Sequence, residues 1–203
     1  MSKSWHLLDI NIDNAIRPKF NFDKLLKKSA HVDKFHWDMW TYRYEELPIL
    51  LTEEWLEYMK SINLEISSAL LFYRKPNFDS NEAHIDVPYN DNDIRLSCPI
   101  NWVLGNDASD MIWYNMPDSS VQAIQLRTPT NDKYTNFSIS ELTEIDRRRI
   151  GNRPTLVRVD IPHVIVVRET PRWAISVRTK FKSSNWIEMV EYVKPYILNY
   201  QET

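Results

Sequence analysis

Runs of apolar, β-branched and aromatic residues separated by polar or turn-forming residues predict strands rather than long helices over much of this chain. The expected strands are Glu65–Arg74, Ala83–Val87, Arg95–Leu104, Met111–Asn115, Val121–Arg127, Thr155–Asp160, His163–Arg168 and Trp173–Phe181. About eight strands is the number a jelly roll needs to close two antiparallel sheets around a central pocket. Helical patterns flank them. Phe22 to Ala30 reads as a short helix with basic residues on its outer face. Thr52 caps a better one, with Glu53 and Glu54 in its first turn and Trp55, Met59 and Ile62 at helical spacing. Ser138-Ile139-Ser140-Glu141 has the capping-box pattern and predicts a short helix ending in Arg147-Arg148-Arg149, whose cations would complement the helix dipole. Asn185-Trp186-Ile187-Glu188 opens a C-terminal helix running toward Pro195. The polar stretch from Thr128 to Asn152 reads as an insertion of the kind that shapes substrate entry. The expectation is a mainly β fold with helices bracing it from outside.

Two of the predicted strands carry candidate chemistry. One holds His84-Ile85-Asp86; the other opens at His163, with Pro162 before it and Arg172 nine positions after it. Side chains alternate along a strand, so the His-x-Asp spacing puts both groups on one face, close enough to bind one ion. Two imidazoles and a carboxylate form the set that holds Fe(II) on one side and leaves the opposite positions open. The run from His163 to Arg168, a turn marked by Pro171 and the run that follows can form a hairpin. In it Arg172, Ala174 and Ser176 share one face, with Trp173, Ile175 and Val177 on the other, so a guanidinium and a hydroxyl point together into a cavity. The planar fork of an arginine suits a carboxylate held bidentately, and a nearby hydroxyl can donate to the same group. Taken singly, each of these residues has an ordinary reading as a core or surface side chain; the joint pattern points to a metal site.

The order His84-x-Asp86, then His163, then Arg172-Trp173-Ala174-Ile175-Ser176-Val177 resembles the Fe(II)- and 2-oxoglutarate-dependent oxygenases, most closely their prolyl-4-hydroxylase branch, over roughly residues 66–180. The resemblance implies one domain across residues 1–203, built as a double-stranded β-helix of the cupin-like, jelly-roll kind. It also implies that His84, Asp86 and His163 hold the catalytic iron, that Arg172 anchors the distal carboxylate of 2-oxoglutarate, and that Ser176 helps it. Tyr73 lies just upstream of the ligand pair, where family members often place a tyrosine near the cosubstrate, and Asn101 is a candidate to bond cosubstrate or substrate. The implied cofactors are Fe(II), 2-oxoglutarate and O2. The implied reaction is hydroxylation, with decarboxylation of 2-oxoglutarate to succinate, of an amino-acid side chain in a peptide or of a small molecule. Asp86 favours hydroxylation, since a missing carboxylate would open a coordination position for halide. The chain departs from many relatives at Gly105-Asn106-Asp107-Ala108-Ser109-Asp110-Met111, which lacks their Gly-Gly-Glu-like turn. Two alternatives stand beside this reading: a cupin-like metalloenzyme that uses the same ligands without 2-oxoglutarate, and a β-sandwich binding protein without turnover.

Composition narrows the partners. With 203 residues, 43% of them hydrophobic and 12% aromatic, the chain has enough apolar surface for one well-cored domain. A net charge of -3 gives no broad cationic field, so neither nucleic acid nor an anionic membrane is expected as a partner. The single cysteine, Cys98, excludes an internal disulfide and suits a reducing compartment; it is read as a packing residue. The Met1-Ser2-Lys3-Ser4-Trp5-His6 start has no secretory pattern, and no apolar run reaches membrane-spanning length, so the expected location is cytoplasmic. With only Gly105 and Gly151 there is no glycine-rich phosphate loop. The sequence leaves the substrate and the oligomeric state open.

Overall fold

The computed structural model describes residues 3–78, 80–86, 98–105, 109–128, 133–183 and 185–198. Its strands are β1 (Trp5–Leu7), β2 (Trp37–Arg43), β3 (Ile66–Arg74), β4 (Glu82–Ile85), β5 (Ile100–Leu104), β6 (Asp110–Tyr114), β7 (Ile124–Arg127), β8 (Lys133–Ser138), β9 (Glu144–Arg149), β10 (Thr155–Val157), β11 (His163–Val166) and β12 (Arg172–Thr179). The helices are α1 (Phe22–Leu26), α2 (Ala30–Phe35), α3 (Leu47–Leu50), α4 (Glu53–Ser61) and α5 (Trp186–Val193). The fold is mainly β. Two antiparallel six-stranded sheets have the orders β1-β10-β5-β12-β3-β2 and β7-β8-β4-β11-β6-β9. From β3 to β6, and again from β9 to β12, each strand joins the sheet opposite to its predecessor, while β7, β8 and β9 all stay in the sheet of β6.

Helices cover the outer face of the first sheet. The Thr52 hydroxyl caps α4 by accepting from the Trp55 amide, which turns Trp55 and Met59 inward. Trp55 meets Trp102 of β5 at 5.8 Å between ring centroids, and the same core takes in Leu71, Ile175, Met189 and Val193. α5 is capped in the same way by Asn185, as its sequence predicts. The Phe22–Ala30 expectation is met only to Leu26; a second helix begins at Ala30, with Ser29 capping it. Among the described residues no helix is long and apolar enough to cross a membrane.

Two expectations fail for identifiable reasons. The segment after Ser138 is a single 3-10 turn, Ile139–Glu141, followed by strand β9. Ile139 and Leu142 seat on Ala83, Ile112, Tyr114 and Val164, so the apolar residues that looked helical instead cover the outer face of the second sheet. The arginines pair across to β6, with Arg149 opposite Asp110 and Arg147 opposite Ile112. Arg147 forks onto Glu144 at 2.9 and 2.7 Å, and no helix dipole is involved. The stretch from Thr128 to Asn152 contributes β8 and β9 to the second sheet, and its Thr128, Lys133, Tyr134 and Asn136 line a cavity of about 690 Å³.

The proposed hairpin of β11 and β12 does not form either. β11 pairs with β4 and β6, whereas β12 pairs with β3 and β5, so the chain crosses from one sheet to the other at Pro171. That crossing sets the two motif strands facing each other across the interior rather than side by side. The expected strand ends at Val87 and at Arg95 to Ser97 lie outside the described residues.

Candidate metal centre

β4 and β11 are hydrogen-bonded neighbours with His84 directly opposite His163, and the His-x-Asp alternation brings Asp86 to the same side. The result is a tight cluster. Asp86 Oδ1 lies 3.5 Å from His84 Nε2 and 3.7 Å from His163 Nε2, and the three ligand atoms all fall within 4.8 Å of one another. Two atoms each about 2.1 Å from one ion can stand up to ~4.2 Å apart, so Asp86 can share an ion with either imidazole. His163 Nδ1 lies 3.0 Å from the Ile161 carbonyl. A carbonyl only accepts, so Nδ1 carries the proton and Nε2 presents its lone pair to the cluster.

The protonation states suit metal binding. Burial, then the neighbouring His163, push the His84 imidazole down to about 3. Burial also lowers His163, against the pull of Asp86. For Asp86 burial acts upward, but its neighbours, with the permanently charged Arg178 guanidinium among them, outweigh it and hold the carboxyl below its ordinary range. Two neutral imidazoles beside an ionised carboxylate is the ligating state of all three.

The cluster opens onto a cavity of about 50 Å³ between the sheets, whose lining also includes Asn101, Arg172, Ala174 and Ser176. Arg172 is buried and donates from Nε to Ser109 Oγ at 2.9 Å. Ser176 is buried two pleats along the same strand, directly opposite Asn101 of β5. Asn101 Oδ1 is buried with no hydrogen-bond partner, a polar atom aimed at a space that a ligand with a donor would satisfy. Six of the seven sequence-derived site residues thus line one cavity. Tyr73 is the exception. It falls on the opposite face of β3, packed against Trp173 at 4.9 Å between ring centroids, so it belongs to the outer core. Its neighbours Phe72 and Arg74 line the cavity instead. Cys98 is fully buried, and burial first of all raises its thiol pKa, in keeping with packing.

Three lining residues were not visible in the sequence motifs. Arg178, on the same face of β12 as Ser176, donates from Nη2 to Asp86 Oδ2 at 2.8 Å. This holds the second carboxylate oxygen and leaves Oδ1 turned toward both imidazoles. Arg74 lines both this cavity and a larger one of about 690 Å³ beside it. Trp37 of β2 lines the larger cavity, whereas Trp102, Trp113 and Trp173, the tryptophans nearest the motifs, all pack into the core. No family model matches the chain, and no characterised protein matches it.

Because Arg178 orients the candidate ligand Asp86 without being one itself, Arg178→Ala is expected to weaken Mn(II) binding about 10–100-fold, the range for losing such a supporting contact. Calorimetric titration of wild type and variant with Mn(II) reads this directly. Equal affinities would show that Asp86 is oriented without Arg178.

Proposed function

We propose that the protein is an Fe(II)- and 2-oxoglutarate-dependent dioxygenase that hydroxylates a small molecule or an amino-acid side chain. The observation that carries this reading is the single cavity shared by the His84, Asp86 and His163 cluster and by buried Arg172, Ser176 and Asn101. The strand order supports it as well. The series β3-β12-β5-β10 faces β4-β11-β6-β9 with successive strands exchanging sheets, the winding expected of a double-stranded β-helix, the jelly-roll form of this mainly β architecture.

The donor set fits iron: two neutral nitrogens and one anionic oxygen converge from one side, and the space beyond them opens toward Arg172. His84, Asp86 and His163 would hold ferrous iron there, and with O2 as the oxidant it would supply the decarboxylation of 2-oxoglutarate to succinate and CO2 coupled to hydroxylation of a substrate C–H bond. The protein's own part is positional. Arg172 offers a charge-assisted fork to the distal carboxylate, and Ser176 places a hydroxyl on the same wall. Asn101 brings an amide with an unmet acceptor. Met111, Val159 and Ile165 complete an apolar lining that limits water near the cluster.

Fe(II)-loaded protein supplied in air with 2-oxoglutarate and with ascorbate, the reductant that takes the place of a substrate C–H bond, is expected to form succinate and CO2 in equal amounts, and His84→Ala is expected to form neither. Mass-spectrometric detection of succinate measures the outcome. Metal-loaded protein that binds 2-oxoglutarate under argon yet yields no succinate in air would favour a binding protein, and failure to bind 2-oxoglutarate would favour a cupin-like enzyme of other chemistry.

A further inference from the structure

The second cavity, beside the metal centre, has a size typical of small-molecule sites, about 690 Å³. Its walls differ. Trp37 and Met39 from β2, with Leu70 and Phe72 from β3, form an apolar side. Glu82, His84, Tyr134 and Asn136 form a polar one, with Lys133 exposed at the edge. The charges within it are mostly matched: Arg178 is paired with Asp86, and Glu82 accepts from the Asn136 amide. Arg74 is not. Its Nε is buried without a hydrogen-bond partner, its Nη1 has only a long 3.4 Å contact with the Ile165 carbonyl, and its guanidinium lies over the Phe78 ring at 4.8 Å. Among the described residues no carboxylate pairs with it.

Arg74 stands directly opposite Arg172 in the β3–β12 register, so two cations sit side by side in the interior. Burial and then Arg172 lower the Arg74 pKa to about 9, which leaves the group charged at neutral pH. One distal carboxylate accounts for Arg172. A buried, charged guanidinium that no carboxylate contacts is costly; Asp86, the anion near enough to raise its pKa, is already bonded to Arg178, and Arg74 lines the wall shared by both cavities.

We propose that the larger cavity binds a small organic acid as substrate, its carboxylate seated on Arg74 and its apolar body on Trp37, Met39, Leu70 and Phe72. This rests on the reading of the neighbouring cluster as the reactive centre, and it extends that reading to the substrate class. Seated in this way, the acid presents its chain to the His84 and Asp86 side of the cavity, where the two cavities meet.

The test compares 4-phenylbutyrate with its neutral amide, 4-phenylbutyramide, by calorimetric titration of Mn(II)-loaded protein saturated with 2-oxoglutarate. The same comparison is run on metal-free protein without 2-oxoglutarate, so loss of cosubstrate binding sinks the dioxygenase reading without deciding this one. Wild type is expected to prefer the acid by about tenfold or more under both conditions, as befits a charge-assisted contact. Arg74→Gln should reduce the preference to below about threefold, with Arg74→Lys between the two. Arg172→Gln should keep the acid preference while losing 2-oxoglutarate. Equal binding of acid and amide by wild type overturns the proposal whether or not the variants fold. So does an acid preference that survives in folded Arg74→Gln, or loss of 2-oxoglutarate binding in that variant, which would make Arg74 a second cosubstrate anchor.

Discussion

His84→Ala, Asp86→Ala and His163→Ala are each expected to abolish binding of Fe(II) or Mn(II), an effect larger than the 10–100-fold or so that follows loss of a supporting contact. The reason is geometric: three ligand atoms within 4.8 Å of one another form a site only together, and removing one leaves two donors around a strongly hydrated ion. The effects on the fold should differ. His84 and Asp86 side chains are each 26% exposed, so truncating them opens no core cavity. His163 is 3% exposed and bonded to Ile161, and its loss should lower stability by about 1–3 kcal/mol. Metal titration beside thermal melting of the metal-free proteins separates the two quantities. Normal affinity in any two of the variants would remove the triad as a metal site.

The part of this centre that could be read from the sequence is the part that depends on local spacing. A His-x-Asp pair keeps one face in any strand, and the alternation Arg172, Ala174, Ser176 carries over unchanged even though the hairpin around it does not exist. What depends on register was hidden. Arg178 reaches Asp86 across 92 positions of sequence, and Arg74 matters because it stands opposite Arg172. A one-residue difference of phase separates Arg74, which lines the cavity, from Tyr73, which does not.

The same division holds for the fold. β3, β5, β11 and β12 announce themselves as apolar runs, and β3, β11 and β12 each fall one or two residues short of expectation at one end. β2 gives no alternation to read: Trp37 and Met39 face the cavity while Trp40 and Tyr42 pack into the outer core, so apolar residues fall on both faces. β9 is concealed for the opposite reason. Its Glu-Ile-Asp-Arg-Arg-Arg sequence has almost no apolar content, and only pairing with β6 and ion pairs to Glu144 and Asp110 make it a strand. At the edge of a sheet such charges also discourage further pairing.

Arg172→Ala is expected to weaken 2-oxoglutarate binding by about 2–5 kcal/mol, the range for truncating one partner of a buried, hydrogen-bonded charge pair. Iron or manganese should still bind, because Arg172 is not among the ligand atoms and the Asp86 carboxylate keeps its own partner in Arg178. Arg172→Lys should fall between wild type and alanine, since lysine retains the charge but loses the fork. Arg168 provides the contrast. It lies on the other side of the Pro171 crossing, 54% exposed, with its Nη2 2.8 Å from Asp110, so Arg168→Ala should leave cosubstrate affinity nearly unchanged. Anaerobic titration of the Mn(II)-loaded proteins with 2-oxoglutarate distinguishes these cases. Were Arg172→Ala to bind as tightly as wild type, the distal carboxylate would have some other partner on a wall that carries two arginines; were wild type itself to bind no 2-oxoglutarate, a metal site working without it would become the better account of a cavity that gathers His84, Asp86 and His163 at one end.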